Sequence, residues 1–174
     1  MTTVYVSIGS NVDPERYIRS CLRALVLEFD QLEVSPVYQN PAEGFEGDDF
    51  LNLVAAFETH ESAPAIARKI NLIEKILGRL RAGEKFGPRT LDIDILLYGD
   101  EIIQFGKYAF PRKELVKYPF MLKPLVDIAP SLKHPVSKQL FSEIWDELSR
   151  TKPILTPIKL NRIGLPNCHW HAVS

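Results

Sequence analysis

Two aspartates, Asp92 and Asp94, stand at alternate positions in an apolar run that has the pattern of a β-strand. The apolar residues between and around them are predicted to share one face of the strand: Leu91, Ile93, Ile95 and Leu97. The aspartates share the other face, roughly 7 Å apart, so their carboxylates can meet at one site. Two carboxylates this close repel each other unless a cation compensates, and Mg²⁺ prefers oxygen ligands.

Basic residues precede this strand and add fixed positive charge: Arg79, Arg81, Lys85 and Arg89. A turn at Gly87-Pro88 is expected to hold Arg89 close to the start of the strand. Metal ions held by carboxylates beside arginines are typical of phosphoryl-type transfer. The alternative is a half-exposed strand whose solvent face happens to carry two aspartates, because short motifs also occur by chance.

The composition argues against several other classes of protein. The chain has 174 residues, 45% of them hydrophobic, which suits one globular domain. A net charge of −1 gives no bulk attraction for nucleic acid or anionic membranes. No apolar run approaches the roughly 20 residues that span a bilayer. With no signal-peptide pattern and only Cys21 and Cys168, we expect a cytoplasmic protein with reduced thiols, acting as a monomer.

The hydrophobic periodicity predicts the order strand, helix, strand, strand, helix, strand, followed by C-terminal helices. Strands are expected over 4–8, 32–38 with a bend at Ser35-Pro36, 50–59 and 91–97. Helices are expected over 14–29 behind an Asp13 cap, 63–77 behind a Ser62 cap, 117–132 and 139–148.

This βαββαβ order indicates an α+β fold of the ferredoxin-like sandwich type, with an antiparallel sheet, helices on one face and added C-terminal helices. Residues 1–148 are predicted to form a single domain. Residues 149–174 contain three prolines and no helical period, so they are predicted to form a tail or a strap over the surface. Residues 106–110 are expected as loop.

Asn52 interrupts the apolar pattern of the strand over 50–59. Its amide offers a donor and an acceptor together, which fits the edge of a heterocycle. The alternative is a buried amide that bonds to backbone. The preceding loop, 40–49, is either the lip of a binding site or solvated surface. Cys168-His169-Trp170-His171 matches no structural zinc pattern, so we expect only adventitious binding of soft metals there.

Five motifs occur in order along the chain: Ile8-Gly9-Ser10-Asn11, Phe50-Leu51-Asn52, Gly78-Arg79-Leu80-Arg81, the run over 86–95, and Phe120-Met121-Leu122-x-Pro124-Leu125-x-x-Ile128-Ala129-Pro130. Together they resemble the 6-hydroxymethyl-7,8-dihydropterin pyrophosphokinase family over about residues 1–148. The resemblance implies a transferase of folate biosynthesis, a kinase that moves pyrophosphate from ATP to the pterin hydroxymethyl group and releases AMP.

The resemblance also implies roles for individual residues. Asp92 and Asp94 are expected to hold two Mg²⁺ ions that bridge the triphosphate, with Arg79 and Arg89 as further catalytic residues. Positioning and charge neutralisation then suffice for in-line attack, without a protein nucleophile. The implied pterin site comprises Asn40, Ala42, Glu43, Phe50, Asn52 and Phe120. The implied ATP site comprises Asn71, Glu74, Arg79, Arg81, Arg89, Ile95, Arg112 and Tyr118.

The chain departs from the family pattern at a few positions. Arg112 stands where many members have His, and Tyr118 where many have Arg. Phe86 replaces a common Trp, and Glu43 replaces a common apolar residue. Two other functions stay open: a pterin- or nucleotide-binding module with weak catalysis, and a metal-dependent nucleotidyltransferase acting on nucleic acid, against which the near-neutral charge argues.

Overall fold

The computed structural model describes residues 1–42, 47–78, 91–152 and 155–174. The first half of the chain contains β1 (Thr2–Ser10), α1 (Pro14–Phe29), β2 (Leu32–Val34), β3 (Val37–Asn40), β4 (Phe50–Thr59), α2 (Ala63–Gly78) and β5 (Asp92–Tyr98). The second half contains β6 (Ile103–Phe105), β7 (Tyr108–Phe110), α3 (Pro119–Ile128), α4 (Phe141–Leu148), β8 (Thr156–Ile158) and β9 (Cys168–Trp170). A 3-10 turn at Lys113–Val116 precedes α3. The protein is therefore mixed α/β. The predicted order strand, helix, strand, strand, helix, strand is followed from β1 to β5, with the second strand divided into β2 and β3, whereas β6 to β9 are not part of that predicted order.

Seven strands form one sheet in the order β5-β1-β4-β2-β9, while β3 pairs with β4 and β8 pairs with β3. The central ladders β1–β4 and β1–β5 are antiparallel. The β2–β9 pair is parallel, so the prediction of a purely antiparallel sheet is wrong at this edge. Its cause is the C-terminal segment, whose two short strands extend the sheet beyond β2 and β3. Residues 106–110 are not irregular loop, because β6 and β7 form a separate hairpin.

The bend predicted at Ser35-Pro36 divides the second strand into β2 and β3. Proline has no N–H to donate to a ladder, so Pro36 interrupts the hydrogen bonding of the strand at this point. Ser35 bridges the break, because its Oγ accepts a hydrogen bond from the Val54 N–H at 2.9 Å. Its own N–H donates to the Val54 carbonyl, also at 2.9 Å. Both halves of the strand therefore stay attached to β4.

Apolar side chains form two cores on opposite faces of the sheet. On one face α1 and α2 pack against strand residues such as Val6 and Leu53. On the other, α3 and α4 pack against residues such as Val54 and Leu96. Leu53 and Val54 are neighbours in β4 yet belong to different cores, because successive strand side chains point to opposite faces. The predicted helical face is that of α1 and α2, and the C-terminal helices cover the other.

The predicted alternation of β5 is wrong at its last positions. Ile93 and Ile95 belong to the α1–α2 core as expected, but Leu97 joins Leu96 in the α3–α4 core. The register between β5 and β1 shifts at Tyr5 and Val6, which inserts one extra residue as a bulge. Both aspartates precede this shift, so the face that they share is not affected.

The predicted side-chain cap is present at one of the two helix starts. The Ser62 Oγ accepts a hydrogen bond from the Ala65 N–H at 3.3 Å and so caps α2. Asp13 precedes α1 but makes no side-chain cap, since its backbone is left-handed, with φ at 45°, instead of extended. Its carboxylate lies 3.7 Å from Arg16. Across the described ranges, none of the helices has the length and apolar character that a membrane span needs.

Candidate active site

A cavity of about 280 Å³ lies beside β5, the strand at one edge of the sheet. It is enclosed by α2, β5, the β6–β7 hairpin and the segment that follows the hairpin. Its lining residues are Ile70, Asn71, Glu74, Asp92, Ile93, Asp94, Ile95, Lys107, Tyr108 and Arg112. Six of these were predicted as metal or ATP ligands: Asn71, Glu74, Asp92, Asp94, Ile95 and Arg112. The structure thus brings together residues that are up to about forty positions apart in the chain.

The strand geometry aims both aspartates at this cavity. In the β1–β5 ladder Asp92 pairs with Gly9, and Asp94 pairs with Ser7. Because they are two residues apart, their side chains leave the strand on the same face. Asp92 is exposed and Asp94 is half-buried. The arrangement provides carboxylate oxygens at the rim and at the wall of one cavity.

Glu74 reaches the same cavity from α2. Its Oε2 accepts a hydrogen bond from the Ile93 N–H at 2.8 Å, which satisfies a backbone donor on the outer edge of the sheet. Burial is the main cause that raises the pKa of Glu74, to about 7, and the charges of Asp92 and Asp94 add to it. The hydrogen bond from Ile93 acts in the opposite direction. The pKa of Glu74 is therefore raised mainly by its buried position beside β5 and further by the two neighbouring carboxylates.

Arg112 brings positive charge to this cluster. Its Nη2 lies 3.5 Å from Asp94 Oδ1, and its Nε lies 3.4 Å from Glu114 Oε2. Its backbone N–H donates to the Leu96 carbonyl at 2.9 Å and so fixes the residue beside β5. Within the described residues the buried Nε makes ionic contact but no hydrogen bond. The guanidinium is thus held between two carboxylates, Asp94 and Glu114, at the wall of the cavity.

The hairpin contributes two lining residues that sequence reasoning missed, Lys107 and Tyr108. The Lys107 Nζ lies 5.4 Å from the centroid of the Tyr108 ring. The available signal was a glycine, Gly106, between two apolar triplets, which is the pattern of a hairpin. Only the folded chain shows that the tip of this hairpin reaches the carboxylates.

A second group of predicted residues lies on the same face of the sheet, two strands away from Asp92. Asn52 of β4 pairs with Gly9 of β1, and Gly9 pairs with Asp92 of β5. Directly opposed residues share a face and neighbouring strands are about 5 Å apart, so Asn52 and Asp92 lie about 10 Å apart. Val54, two residues after Asn52, packs in the α3–α4 core, which identifies this face as that of α3.

Gly9 is required between these two positions. A Cβ at Gly9 would lie 2.5 Å from Asn52 Oδ1, too close for any side chain without displacement of the amide. Asn52 is buried, and its Nδ2 donates to the Oδ1 of Asn40 on β3. The Asn52 donor therefore bonds to a second amide side chain, a partner that neither sequence hypothesis named.

Two aromatic residues, one on β4 and one on α3, were predicted at the pterin site. Phe50 pairs with Asn40 in the β3–β4 ladder, and Phe120 is half-buried on α3. Tyr118, predicted at the ATP site, stacks on Phe120 with centroids 5.2 Å apart and planes inclined by 19°. It therefore lies beside a predicted pterin residue and does not line the carboxylate cavity. Ala42 is half-buried just beyond β3.

Four predicted site residues, Glu43, Arg79, Arg81 and Arg89, lie outside the described residues. Their assigned roles stay predictions, as does the consequence of Phe86. Among the described residues no group of three or more His, Cys, Asp or Glu is arranged to hold a metal ion. The predicted Mg²⁺ site at Asp92 and Asp94 therefore stays a prediction, and it would need further oxygen ligands such as those of phosphates.

The family described as 7,8-dihydro-6-hydroxymethylpterin-pyrophosphokinase (HPPK) matches residues 5–130 of the chain. The 2-amino-4-hydroxy-6-hydroxymethyldihydropteridine pyrophosphokinase of Aquifex aeolicus is 38% identical over 163 residues, covering 92% of this chain and all of that protein. The protein of the same name from Pseudomonas aeruginosa is 35% identical, covering 79% of this chain and 86% of its own.

Solved structures support the fold. The chain is similar to a triple mutant of Plasmodium falciparum HPPK-DHPS, with a TM-score of 0.69 and 14% identity. It is also similar to an HPPK-DHPS in complex with substrates, with a TM-score of 0.68 and 11% identity. The similarity covers 87% of this chain in both cases, but only 45% and 46% of those chains. This chain thus spans less than half the length of the solved structures that it matches.

Proposed function

The chain belongs to the 7,8-dihydro-6-hydroxymethylpterin-pyrophosphokinase family, and we propose that the surface from Asp94 to Asn52 is where it performs that family's reaction. It transfers pyrophosphate from ATP to hydroxymethyldihydropterin, in folate biosynthesis, and AMP is the other product. One observation carries the location of the site: the ladder through Gly9, which places Asp92 and Asn52 on one face about 10 Å apart.

The carboxylate cavity is proposed as the phosphate end of the ATP site. Asp92 and Asp94 would hold two Mg²⁺ ions, and the donor set fits, since it consists of oxygens from closely spaced carboxyl groups. Glu74 adds a third carboxyl group beside these two in the lining of the cavity. Bound there, the ions would neutralise the triphosphate and make the acceptor hydroxyl more acidic.

Cations of this chain would bind the triphosphate beside the carboxylates. Arg112 presents a guanidinium next to Asp94, and Lys107 adds an ammonium from the hairpin. Asn71, Glu74 and Ile95 line the deeper wall, where they would contact the nucleoside. Arg79, Arg81 and Arg89 are proposed as further phosphate ligands from the segment outside the described residues. Tyr118 is proposed to act through Phe120, on which it stacks.

The amide pair is proposed to read the pterin. Asn40 and Asn52 together carry two donor and two acceptor groups, which suits the alternating polar edge of such a ring. Phe50 and Phe120 would contact its faces, since aromatic rings favour offset stacking. Ala42 and Glu43 would contribute backbone groups from the adjoining loop.

With the ring held at Asn52, the hydroxymethyl group can point along the sheet toward Asp92. The hydroxyl oxygen then gives up its proton to solvent and attacks the β-phosphorus of ATP in line. A new P–O bond forms, and the bond from the β-phosphorus to the oxygen that AMP retains breaks. The protein supplies orientation, charge neutralisation and exclusion of water, which are sufficient for this class of reaction. No side chain needs to form a covalent intermediate.

We also propose that the chain has a ferredoxin-like fold. The order β5-β1-β4-β2, with α1 and α2 on one face, supports a ferredoxin-like sandwich. We assign the enzyme domain to residues 1–148 and regard residues 149–174 as a strap added to its sheet. The contacts of that strap bear on the site, as described below.

Product analysis tests the proposed function. The purified chain is incubated with Mg-ATP and 6-hydroxymethyl-7,8-dihydropterin, with each substrate omitted in turn as control. AMP and pterin pyrophosphate in equal amounts, formed only when both substrates are present, are the expected result. ADP would contradict pyrophosphate transfer. Binding of both ligands without product would favour the alternative function, a binding module with weak catalysis. The Arg112–Asp94 ion pair supports that alternative, because the guanidinium lies next to a proposed metal ligand.

A further inference from the structure

A buried carboxylate, Asp127, links three segments of the chain behind the proposed pterin site. Its side chain on α3 is fully buried, with 0% exposure. The Tyr38 hydroxyl of β3 donates to its Oδ2. Its Oδ1 accepts hydrogen bonds from Lys123 Nζ at 2.7 Å and from Ser174 N and Oγ at 3.0 and 2.7 Å. A buried charge is retained only when it is paired and hydrogen-bonded, and this one has four donors.

The three linked segments include both walls of the pterin site. Tyr38 pairs with Asn52 in the β3–β4 ladder and stands two residues before Asn40. Phe120, Lys123 and Asp127 follow one another on α3 at intervals of three and four, so they share one side of the helix. The hydrogen bond from Tyr38 to Asp127 therefore connects β3, which carries Asn40, directly to α3, which carries Phe120.

The C-terminal segment holds the same two elements together from outside. Its strand β8 pairs with β3, with Tyr38 opposite Pro157 and Gln39 opposite Thr156. Its last residue, Ser174, also accepts hydrogen bonds from Lys123 Nζ, at its carbonyl oxygen at 2.9 Å and its Oγ at 3.3 Å. One segment thus contacts β3 at one point and α3 at another.

We propose that Asp127 is a positioning residue that sets the spacing between the Asn40–Asn52 amide pair and Phe120, through Tyr38 on β3 and Ser174 of the C-terminal segment. Asp127 is buried and does not touch the substrate. The inference rests on the proposed pterin site. It predicts that the network controls the affinity for the pterin and leaves the ATP cavity at β5 unchanged, because that cavity shares none of these contacts.

The test compares two variants that each remove a single phenol oxygen. Tyr38→Phe breaks the link to Asp127. Tyr98→Phe is the matched control, since the Tyr98 hydroxyl donates to the Glu61 carbonyl at 2.6 Å at the far end of β5. Calorimetry measures the Kd of the full chain for the reduced pterin in the presence of a non-hydrolysable ATP analogue, and separately the Kd for that analogue.

In Tyr38→Phe the pterin Kd is expected to rise about tenfold, since small displacements of binding groups are costly, while the analogue Kd stays within about twofold. Tyr98→Phe should change neither value by more than about twofold on the same basis. Lys123→Met removes the ammonium that bonds both Asp127 and Ser174. It should raise the pterin Kd and leave the analogue Kd unchanged, as Tyr38→Phe does. Hydrogen exchange over 156–158 should rise in Lys123→Met as the C-terminal segment loosens.

Two results would overturn the inference. One is an unchanged Kd for the pterin in Tyr38→Phe. The other is an equal loss of affinity for the pterin and for the ATP analogue in both tyrosine variants, because that would indicate a general structural role. Failure of the unmodified chain to bind the pterin would reject the proposed function itself, and the positioning role with it. The wild-type titration therefore separates the two cases.

Discussion

At the residue scale, the site depends on one position where a side chain is missing. Gly9 lies between Asn52 and Asp92, so the two polar residues face each other across bare backbone. The missing side chain leaves the space that the Asn52 amide occupies, so this amide can lie close against the backbone of β1. In the proposed site, carboxylates and cations would act toward β5, and amides and aromatic rings toward β3.

Asp94→Ala is expected to lower kcat/KM by about 10³-fold, because the proposed metal and phosphate charges lose a ligand. The fold should survive, since Asp94 is half-buried and lies outside both hydrophobic cores. Steady-state kinetics and a urea melt check both parts. Asp100→Ala in the exposed turn after β5 is the control and should behave as wild type. Normal turnover in folded Asp94→Ala would reject the metal assignment.

Asn52→Ala is expected to raise the Kd for the pterin by at least about tenfold, because a site built to pair with polar edges is left with an unpaired Asn40. The Kd for an ATP analogue should change little, as Asn52 does not line the carboxylate cavity. Calorimetric titrations with each ligand measure the two effects. Gln39→Ala, an exposed amide on the neighbouring strand, is the control. Similar losses for both ligands would contradict the proposed role.

At the element scale, the sequence was sufficient for the central strands and the two long helices, because the pattern of each extends over five or more residues. It was not sufficient for β8 and β9, each three residues long, since such segments carry almost no pattern of their own. The shift at the end of β5 was missed for a related reason. A bulge depends on the partner strand, and no signal in 91–98 marks it.

The same contrast holds for the candidate site. The residue types at 92, 94 and 52 are by themselves sufficient to indicate carboxylate and amide chemistry. The contacts of Arg112 with Asp94, of Asn52 with Asn40 and of Glu74 with the Ile93 N–H could not be predicted. Each depends on strand register or on how α2 lies against an edge, which is decided by packing over the whole sheet.

Ser35→Ala is expected to destabilise the fold by about 1–3 kcal/mol, because the buried N–H of Val54 loses its acceptor. The effect should appear as a lower midpoint of urea unfolding with an unchanged slope. Ser149→Ala removes an exposed hydroxyl after α4 and should change stability by less than about 0.5 kcal/mol. If both variants have the same urea midpoint as the wild type, the Ser35 bridge across the strand break does not contribute to stability.

At the scale of the whole molecule, a sheet separates two cores. The carboxylate cavity has α2 as one wall, whereas the amide pair lies on the side of α3 and α4. The helices on that side are joined by the turn around His134, whose Nδ1 accepts hydrogen bonds from the N–H groups of Val136 and Ser137 at 3.1 and 3.3 Å. Its ring packs against Phe141, with centroids 5.6 Å apart. Neutral His134 therefore fits this position, and a protonated ring does not.

Global stability should therefore fall in acid. Burial lowers the pKa of His134, so the unfolded chain, with a pKa near 6.5, takes up the proton first. This contribution is complete above about pH 6.5 and is lost as the pH falls through the lower pKa of the folded state. Urea melts at pH 7.5 and pH 5.5 measure it. His134→Asn, which retains an acceptor, should reduce the difference between the two pH values, whereas the exposed control His60→Asn should preserve it.

The parallel pairing of β2 with β9 has a consequence during synthesis of the chain. Glu33 and His171, which bond across this edge, are separated by 138 residues. A ribosome adding about 5–20 residues per second needs roughly 7–28 s to make that stretch. During this interval the outer edge of β2 has no native partner, and open strand edges are where nascent chains associate with one another. Cells that make this protein at high rate would therefore benefit from chaperones that bind extended segments.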